Sequence, residues 1–184
     1  MTAPPFMVMS LRYLETNMSL RYLPVLLLLA PLVAWGADSS PDASFYKKAA
    51  EAGISEVDAA NLALQKTSDP KIKDFANMMV KDHTAANDKL KTIADGKGIT
   101  LPTSASVGQM ATEAKLKVLT GDTFDKSYIK GQVKAHQQTI ALLKKEVATG
   151  QDADAKSFAQ SVLPTVRGHL KAVNALAASA GVSK

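Results

Sequence analysis

The chain has 184 residues, of which 46% are apolar and only 5% aromatic, and its formal net charge is +5. Alanine and leucine dominate the apolar residues, which favours helices over sheets. No cysteine is present, so disulfides, thiol catalysis and thiolate metal ligands are excluded. The lysines are scattered, without a long basic run or interleaved aromatic residues. We interpret the positive charge as a solvated surface and predict no nucleic-acid partner.

Residues 18–37 have the pattern of a secretory signal peptide. Arg21 supplies a positive charge, and residues 23–33 form an apolar run. The small residues Ala34 and Gly36 stand three and one positions before the predicted cut, which fits cleavage after Gly36. As a helix this run would be only about 16 Å long, too short for a membrane core of about 30 Å. We therefore predict a cleaved leader rather than a membrane anchor.

The domain boundaries follow from this leader. The hexapeptide MSLRYL begins at both Met9 and Met18, so Met18 is an alternative start of translation. We predict that residues 1–36 are an N-terminal extension and secretory signal peptide. Residues 37–184 are predicted to form a single domain without a transmembrane segment.

Four long helices and one short helix are predicted after the leader. Apolar residues recur every three or four positions in three of the long helices, and the first long helix has a face of small residues. Proline suits a first turn and glycine suits the position after a helix end, which indicates several of the boundaries. The long helices are predicted from Asp42 to Thr67, Pro70 to Asp95, Asp122 to Gly150, and Asp152 to the residue before Gly181, and the short helix from Val107 to Leu119.

The lengths of the connections predict the fold class. The first and second long helices are separated by only a few residues, as are the third and fourth, so each pair should form an antiparallel hairpin. The connection between the hairpins, residues 96–121, is much longer and carries the short helix. The predicted fold is therefore an all-α, ferritin-like four-helix bundle with one long crossover. An up-down-up-down bundle with a long insertion is the alternative.

All three histidines lie on predicted apolar helix faces, each near the middle of a different helix. They are His83, His136 and His169, and Glu56 lies at about the same depth on the remaining long helix. In a bundle with aligned ends these four side chains would converge. An unpaired buried glutamate is costly, and a metal ion or charged histidines would relieve that cost. The sequence therefore predicts a metal site formed by Glu56, His83, His136 and His169.

This ligand set suits one transition metal ion, with zinc, copper, iron and manganese as the candidates. A di-iron centre is not expected, because it needs Glu-x-x-His motifs and a valine stands three residues before each histidine. Asp82 is expected to face about 100° away from its neighbour His83. Met79, one turn from His83, would favour copper if it reached the metal, but we interpret it as core filler.

A second interpretation is a non-catalytic interaction module with a buried layer of hydrogen-bonded histidines. Gln132 and Thr165, one turn before His136 and His169, are candidate partners in such a layer. Catalysis would need an open coordination position and a general base, and no base is visible if Glu56 is a ligand. If Glu56 is not a ligand, it could be the base near a metal held by the three histidines, and the sequence leaves both options open. We favour a protein without enzymatic activity, and the sequence names no protein partner.

Four parts of the chain, taken together, follow the pattern of one protein family: MVKDHTAAN at residues 79–87, FDKSY at 124–128, QVKAHQ at 132–137, and Leu163-Pro164 with His169. The chain resembles a bacterial family of exported, ferritin-like proteins that is labelled as a domain of unknown function and often named as outer membrane proteins. The resemblance implies a ferritin-like bundle exported to a Gram-negative envelope, without an established reaction. Because the mature chain has no predicted spanning helix, we expect a periplasmic protein.

Overall fold

The computed structural model describes residues 41–182, and this part of the chain is entirely helical, without strands. The predicted all-α class is thereby confirmed, and each helix boundary lies within two residues of its predicted position. The predicted leader lies outside the described residues. The helices are α1 (Pro41–Lys66), α2 (Pro70–Gly96), α3 (Val107–Lys117), α4 (Gly121–Thr149) and α5 (Ala153–Ser179).

Side-chain caps fix the starts of three helices. The Asp69 carboxylate accepts hydrogen bonds from the backbone at the start of α2, with a distance of 2.7 Å from the Lys71 nitrogen, and Pro70 occupies the first turn. Asp152 caps α5 in the same way, at 2.9 Å from the Asp154 nitrogen. Ser106 begins α3 with a reciprocal capping box. These caps satisfy backbone N–H groups that have no partner inside a helix.

Helix α1 packs most extensively against α2, and α4 against α5. The two hairpins meet through contacts of α1 with α4 and of α2 with α5. At one end, Asp42 of α1 accepts a hydrogen bond from the Gln151 nitrogen, and Lys97 after α2 pairs with Asp152 before α5. At the other end, Lys66 of α1 donates to the carbonyl of Leu119 before α4. The ends of α2 and α4 therefore lie at the same end of the protein, and α4 begins at the opposite end. The crossover from α2 to α4 spans the length of the helices, and α2 and α4 run in the same direction.

Two apolar clusters occupy the interior, one toward each end of the long helices. We name them the first and the second core cluster. The first contains Ile72, Phe75, Met79, Phe124, Tyr128, Ile129 and Val173 among others. The second contains Phe45, Tyr46, Leu90, Leu143, Phe158 and Val166 among others. On each long helix the predicted site residue lies between the segments that contribute to these clusters.

Within residues 41–182, no helix is both long enough and apolar enough to cross a membrane.

Helices α1 and α2 approach closely at Gly53, and this contact gives a testable prediction. A Cβ atom at Gly53 would overlap the Asn87 amide oxygen and lie 2.8 Å from Asn87 Cγ. We expect Gly53→Ala to lower the free energy of unfolding by about 1–3 kcal/mol, because Asn87 or the helix pair must move. Gly168→Ala is the matched control, since an added Cβ meets nothing within 4 Å there. It should stabilise the protein by about 0.5–1 kcal/mol. Urea unfolding of both variants checks the contrast.

Asp42 and Glu146 form a carboxyl pair at the end where α1 begins. Their exposed fractions are 7% and 5%. Burial raises the pKa of Glu146 to about 7, and its hydrogen bond with Asp42 adds to the shift. Burial opposes the ionisation of Asp42, but hydrogen bonds from the Gln151 backbone and from Glu146 outweigh it and lower the Asp42 pKa. The two groups therefore share one proton.

Replacing Glu146 by glutamine should stabilise the protein at alkaline pH. The pKa of Glu146 in the folded chain lies above its ordinary value of 4.5, so its stabilising contribution is complete below that value and is lost as the pH rises through about 7. Glutamine keeps the hydrogen-bond donor at every pH. We expect Glu146→Gln to gain about 1–2 kcal/mol over the unsubstituted chain at pH 8 and almost nothing at pH 5.

Urea unfolding at pH 5, 6.5 and 8 measures this difference. The exposed Asp88 provides the control, and Asp88→Asn should show no such pH dependence. An effect of Glu146→Gln that is equal at pH 5 and pH 8 would contradict the shared proton.

Candidate metal centre

The three histidines lie together between the first and second core clusters. His83 comes from α2, His136 from α4 and His169 from α5, and their exposed fractions are only 6%, 1% and 3%. Each lies on the inward face of its helix, as its position in the apolar pattern predicted. The middle of the protein is therefore a polar layer enclosed by apolar packing on both sides.

The three imidazole rings face one another in a triangle. The ring centroids are 5.8 Å apart for His83 and His136, 5.3 Å for His83 and His169, and 5.6 Å for His136 and His169. One ring nitrogen from each histidine lies within 4.8 Å of the other two. Three nitrogen ligands at bond lengths of about 2.0–2.1 Å would be about 3.5 Å apart. Small movements of the side chains would bring the nitrogens to that spacing.

Hydrogen bonds hold two of the rings from behind. His136 donates through Nδ1 to the backbone carbonyl of Gln132 at 2.8 Å. His169 donates through Nε2 to Asp82 Oδ2 at 2.9 Å. These bonds leave His136 Nε2 and His169 Nδ1 as the nitrogens with lone pairs. Metal-binding histidines usually donate their second ring N–H to a carbonyl or carboxylate in this way.

Three buried ring nitrogens have no hydrogen-bond partner in the described part of the chain. They are His83 Nε2, His136 Nε2 and His169 Nδ1. Buried polar atoms are nearly always paired, and an unpaired one destabilises the fold by about 1–3 kcal/mol. Three such atoms on three adjacent rings fit a bound cation, because each can offer it a lone pair.

Burial keeps the rings of His83 and His136 in the neutral form that a metal requires. Burial lowers the pKa of His83 to about 3, and the neighbouring imidazoles His136 and His169 lower it further. Burial also lowers the pKa of His136 to about 4, against the opposing effect of its bond to the Gln132 carbonyl. At neutral pH a metal ion therefore meets no competing proton on either ring.

Glu56, the fourth predicted ligand, lies beside the histidine cluster and outside it. Its carboxylate is 4% exposed, and Oε1 is 3.8 Å from His136 Nδ1, the nitrogen that already donates to a carbonyl. Burial raises the pKa of Glu56 to about 7, against a hydrogen bond with the Gln132 side chain. The structure thus brings three of the four predicted residues together and places Glu56 behind one of them.

Asp82 is the site residue that sequence reasoning missed. Its expected direction, about 100° from that of His83, pointed away from the site. Helix α2 packs against both α1 and α5, however, and Asp82 reaches His169 across the contact with α5. The sequence signal that could have indicated this role is the position of Asp82 directly before His83, a histidine of the apolar helix face.

Two further sequence predictions concern the surroundings of the rings. Thr165 is exposed, so the prediction that it partners His169 is wrong; Val166 takes the inward position on α5. Gln132 does contact His136, but through its backbone carbonyl. Met79 is fully buried in the first core cluster, in keeping with its interpretation as core filler.

Residues 31–176 match the family described as a domain of unknown function, DUF4142. The chain belongs to this DUF4142 family. The match spans all three histidines, Glu56 and Asp82, so the whole site lies within the matched region. A comparison with curated protein sequences gives no match.

Solved structures with a similar fold include two proteins of another family of unknown function, DUF305. One comes from Streptomyces coelicolor and is described as secreted, with a TM-score of 0.68, 16% identity, and coverage of 80% of this chain and 98% of that one. A DUF305 fragment from Deinococcus radiodurans has a TM-score of 0.66 and 13% identity, covering 74% of this chain and 95% of that one.

CopM in its Cu(I)-bound form is a third structure with a similar fold. Its TM-score is 0.63 at 17% identity, and the match covers 75% of this chain and 96% of CopM. At such identities these likenesses show the fold alone.

Proposed function

We propose that this protein binds one transition metal ion through His83, His136 and His169 and serves in metal handling in the periplasm. The proposal rests on two observations: each of the three buried rings has an unpaired nitrogen, and one nitrogen of each ring lies within 4.8 Å of the other two. Two of the rings are held by a carbonyl and a carboxylate on their far sides. Unpaired buried nitrogens destabilise the fold when the site is empty, whereas a bound metal ion would use their lone pairs.

Copper is the metal that we propose first. Imidazole nitrogens suit copper and zinc, and copper binds most tightly among the divalent ions of its row. CopM, which has a similar fold, is known in Cu(I)-, Cu(II)- and silver-bound forms. Zinc is the second candidate, because a site of three histidines also suits it.

We propose the ferritin-like four-helix bundle as the class of the fold. The support is that α2 and α4 run in the same direction, with a crossover that spans the long helices. An up-down-up-down bundle would have these two helices antiparallel. This connectivity supports the ferritin-like bundle over the up-down-up-down alternative.

Export to the periplasm remains part of the proposal. It is supported by the signal-peptide pattern of residues 18–37 and by the secreted DUF305 protein with a similar fold. A metal-handling protein of the envelope needs no catalytic group, and we propose no enzymatic activity. A purely structural histidine layer is less well supported, since the three rings form no hydrogen bond with one another among the described residues.

Metal analysis of the untagged protein, purified from the periplasm without a nickel column, tests the proposal. We expect about one equivalent of copper or zinc, and a Cu(I) titration against a competing chelator should give a stoichiometry near one. The double variant His83→Ala/His136→Ala should lose the metal while its circular dichroism stays helical. A metal-free protein that also rejects added copper and zinc would overturn the proposal.

Glu56 has a separate test within this proposal. Because Glu56 lies at the far nitrogen of His136, we propose the three histidines as the ligands and Glu56 as a neighbour. Glu56→Gln should therefore keep its metal. Loss of the metal in this variant would restore Glu56 as the fourth ligand that the sequence predicted.

A further inference from the structure

A cleft of about 690 Å³ lies between α1, α3 and α4, on the side of His136 away from the histidine cluster. Small and apolar side chains form much of its wall, including Ala52, Ala59, Leu116 and Ala135. Helix α3 borders the cleft without burying any residue of its own. The volume is in the range of about 300–1,000 Å³ that is usual for sites of small organic ligands.

Three buried polar residues line this cleft and have unused hydrogen-bonding capacity. Glu56, Tyr128 and Gln132 are exposed by only 4%, 1% and 4%. Their atoms Glu56 Oε2, Tyr128 Oη and Gln132 Oε1 have no hydrogen-bond partner in the described part of the chain and almost no accessible surface. A ligand in the cleft therefore reaches them only when these side chains rotate toward it. The metal site does not use these atoms, so they need a separate explanation.

The chemistry of the three atoms selects the kind of group that would satisfy them. An amide oxygen can only accept a hydrogen bond, a carboxylate oxygen accepts, and a phenol accepts or donates. A primary ammonium group offers three N–H donors and a positive charge that complements the carboxylate. The rim has charges of both signs, so the buried residues determine the preference. The charged residues of the rim are Lys48, Lys115, Lys134, Glu51 and Glu113.

We propose that the cleft binds a small amphipathic amine. Its ammonium group donates to Glu56, Gln132 and Tyr128, and its apolar body packs against the wall formed by Leu116 and Ala135. This site goes beyond the proposed function, because none of these residues is one of the three histidine ligands.

The probe for the test is 4-phenylbutylamine, titrated calorimetrically into protein that was purified from the periplasm and then freed of metal with a chelator. Two matched probes, 4-phenylbutan-1-ol and 4-phenylbutyrate, keep the apolar body and replace the ammonium group. We expect saturable binding of the amine and at least about tenfold weaker binding of the other two. Binding of the alcohol as tight as that of the amine, or no saturable binding of the amine, would overturn the proposal.

Substitutions locate the site. Glu56→Gln should weaken amine binding at least about tenfold, and Tyr128→Phe about three- to tenfold. Glu146→Gln is the matched control, since it also neutralises a buried carboxyl group but lies outside the cleft, and it should leave the affinity unchanged. Tyr128→Phe removes only an unpaired hydroxyl, so it remains informative if Glu56→Gln does not fold.

Unchanged affinity in both cleft variants would refute the assignment of these residues. Because the titration uses metal-free protein, failure of metal binding in the elemental analysis would leave the result on the amine intact.

Discussion

Replacing His83 by leucine should abolish tight metal binding and at the same time stabilise the metal-free protein. His83 has no hydrogen-bond partner in the described part of the chain, so its removal leaves no other group unpaired. A void of about 30 Å³ lined by His83, Ala86 and Leu143 gives the leucine branches room. We expect the free energy of unfolding without metal to rise by about 0.5–2 kcal/mol. The metal affinity should fall by more than about 100-fold. Removing a ligand should weaken binding more than removing a hydrogen-bond partner of a ligand, which costs about 10- to 100-fold.

This variant separates the two interpretations of the histidine layer. If the histidines served as a structural hydrogen-bond network, His83→Leu would destabilise the protein. Met79→Leu is the matched control, because Met79 is fully buried one turn away on the same helix. It should keep the metal and change stability by less than about 1.5 kcal/mol. Urea unfolding and Cu(I) competition titrations measure both quantities, and loss of metal in the control would add Met79 to the ligands.

Asp82→Ala should weaken metal binding by about 10- to 100-fold with little effect on the fold. The Asp82 carboxylate accepts the Nε2 proton of His169 and thereby directs the Nδ1 lone pair toward the other rings. Without it, the His169 ring can rotate or adopt the other tautomer. The Asp82 side chain is 31% exposed, so the substitution opens no cavity in the core.

The control for Asp82→Ala is Asp88→Ala, an exposed carboxylate on the same helix. Both variants lose one negative charge, but only Asp82 contacts a histidine. Equal losses of affinity would mean that long-range charge, rather than the bond to His169, sets the effect.

The helices were predictable from the sequence because their signals are local. Pro70 and Asp69 mark the start of α2, and Gly150 and Gly181 follow α4 and α5. The periodic apolar faces indicated which side of each helix would be buried. The histidines share those faces, so their convergence followed from the equal depth of three positions. Relative helix direction was less certain, because a long crossover is compatible with either orientation.

What the sequence could not give was the direction of each side chain within the layer. On a helix that packs on one face only, a side chain about 100° from the centre of that face points to solvent. Helix α2 packs against both α1 and α5, so the same direction brings Asp82 to α5. The depth of Glu56 was predicted well, yet its side chain lies behind His136, toward the cleft. Which ring nitrogen stays free depends on bonds to Gln132 and Asp82, and those depend on packing between helices.

The three histidines lie more than 30 residues apart in the sequence and belong to both hairpins. An extended chain cannot bring them to one ion, and neither hairpin alone carries all three. Under the proposed function, an ion held by all three histidines would therefore bind only after the two hairpins have docked. A chain threaded unfolded through a translocation channel would arrive empty and acquire its metal only in the compartment where it folds. The content of the site would then report the metals of that compartment rather than those of the cytoplasm where the chain was made.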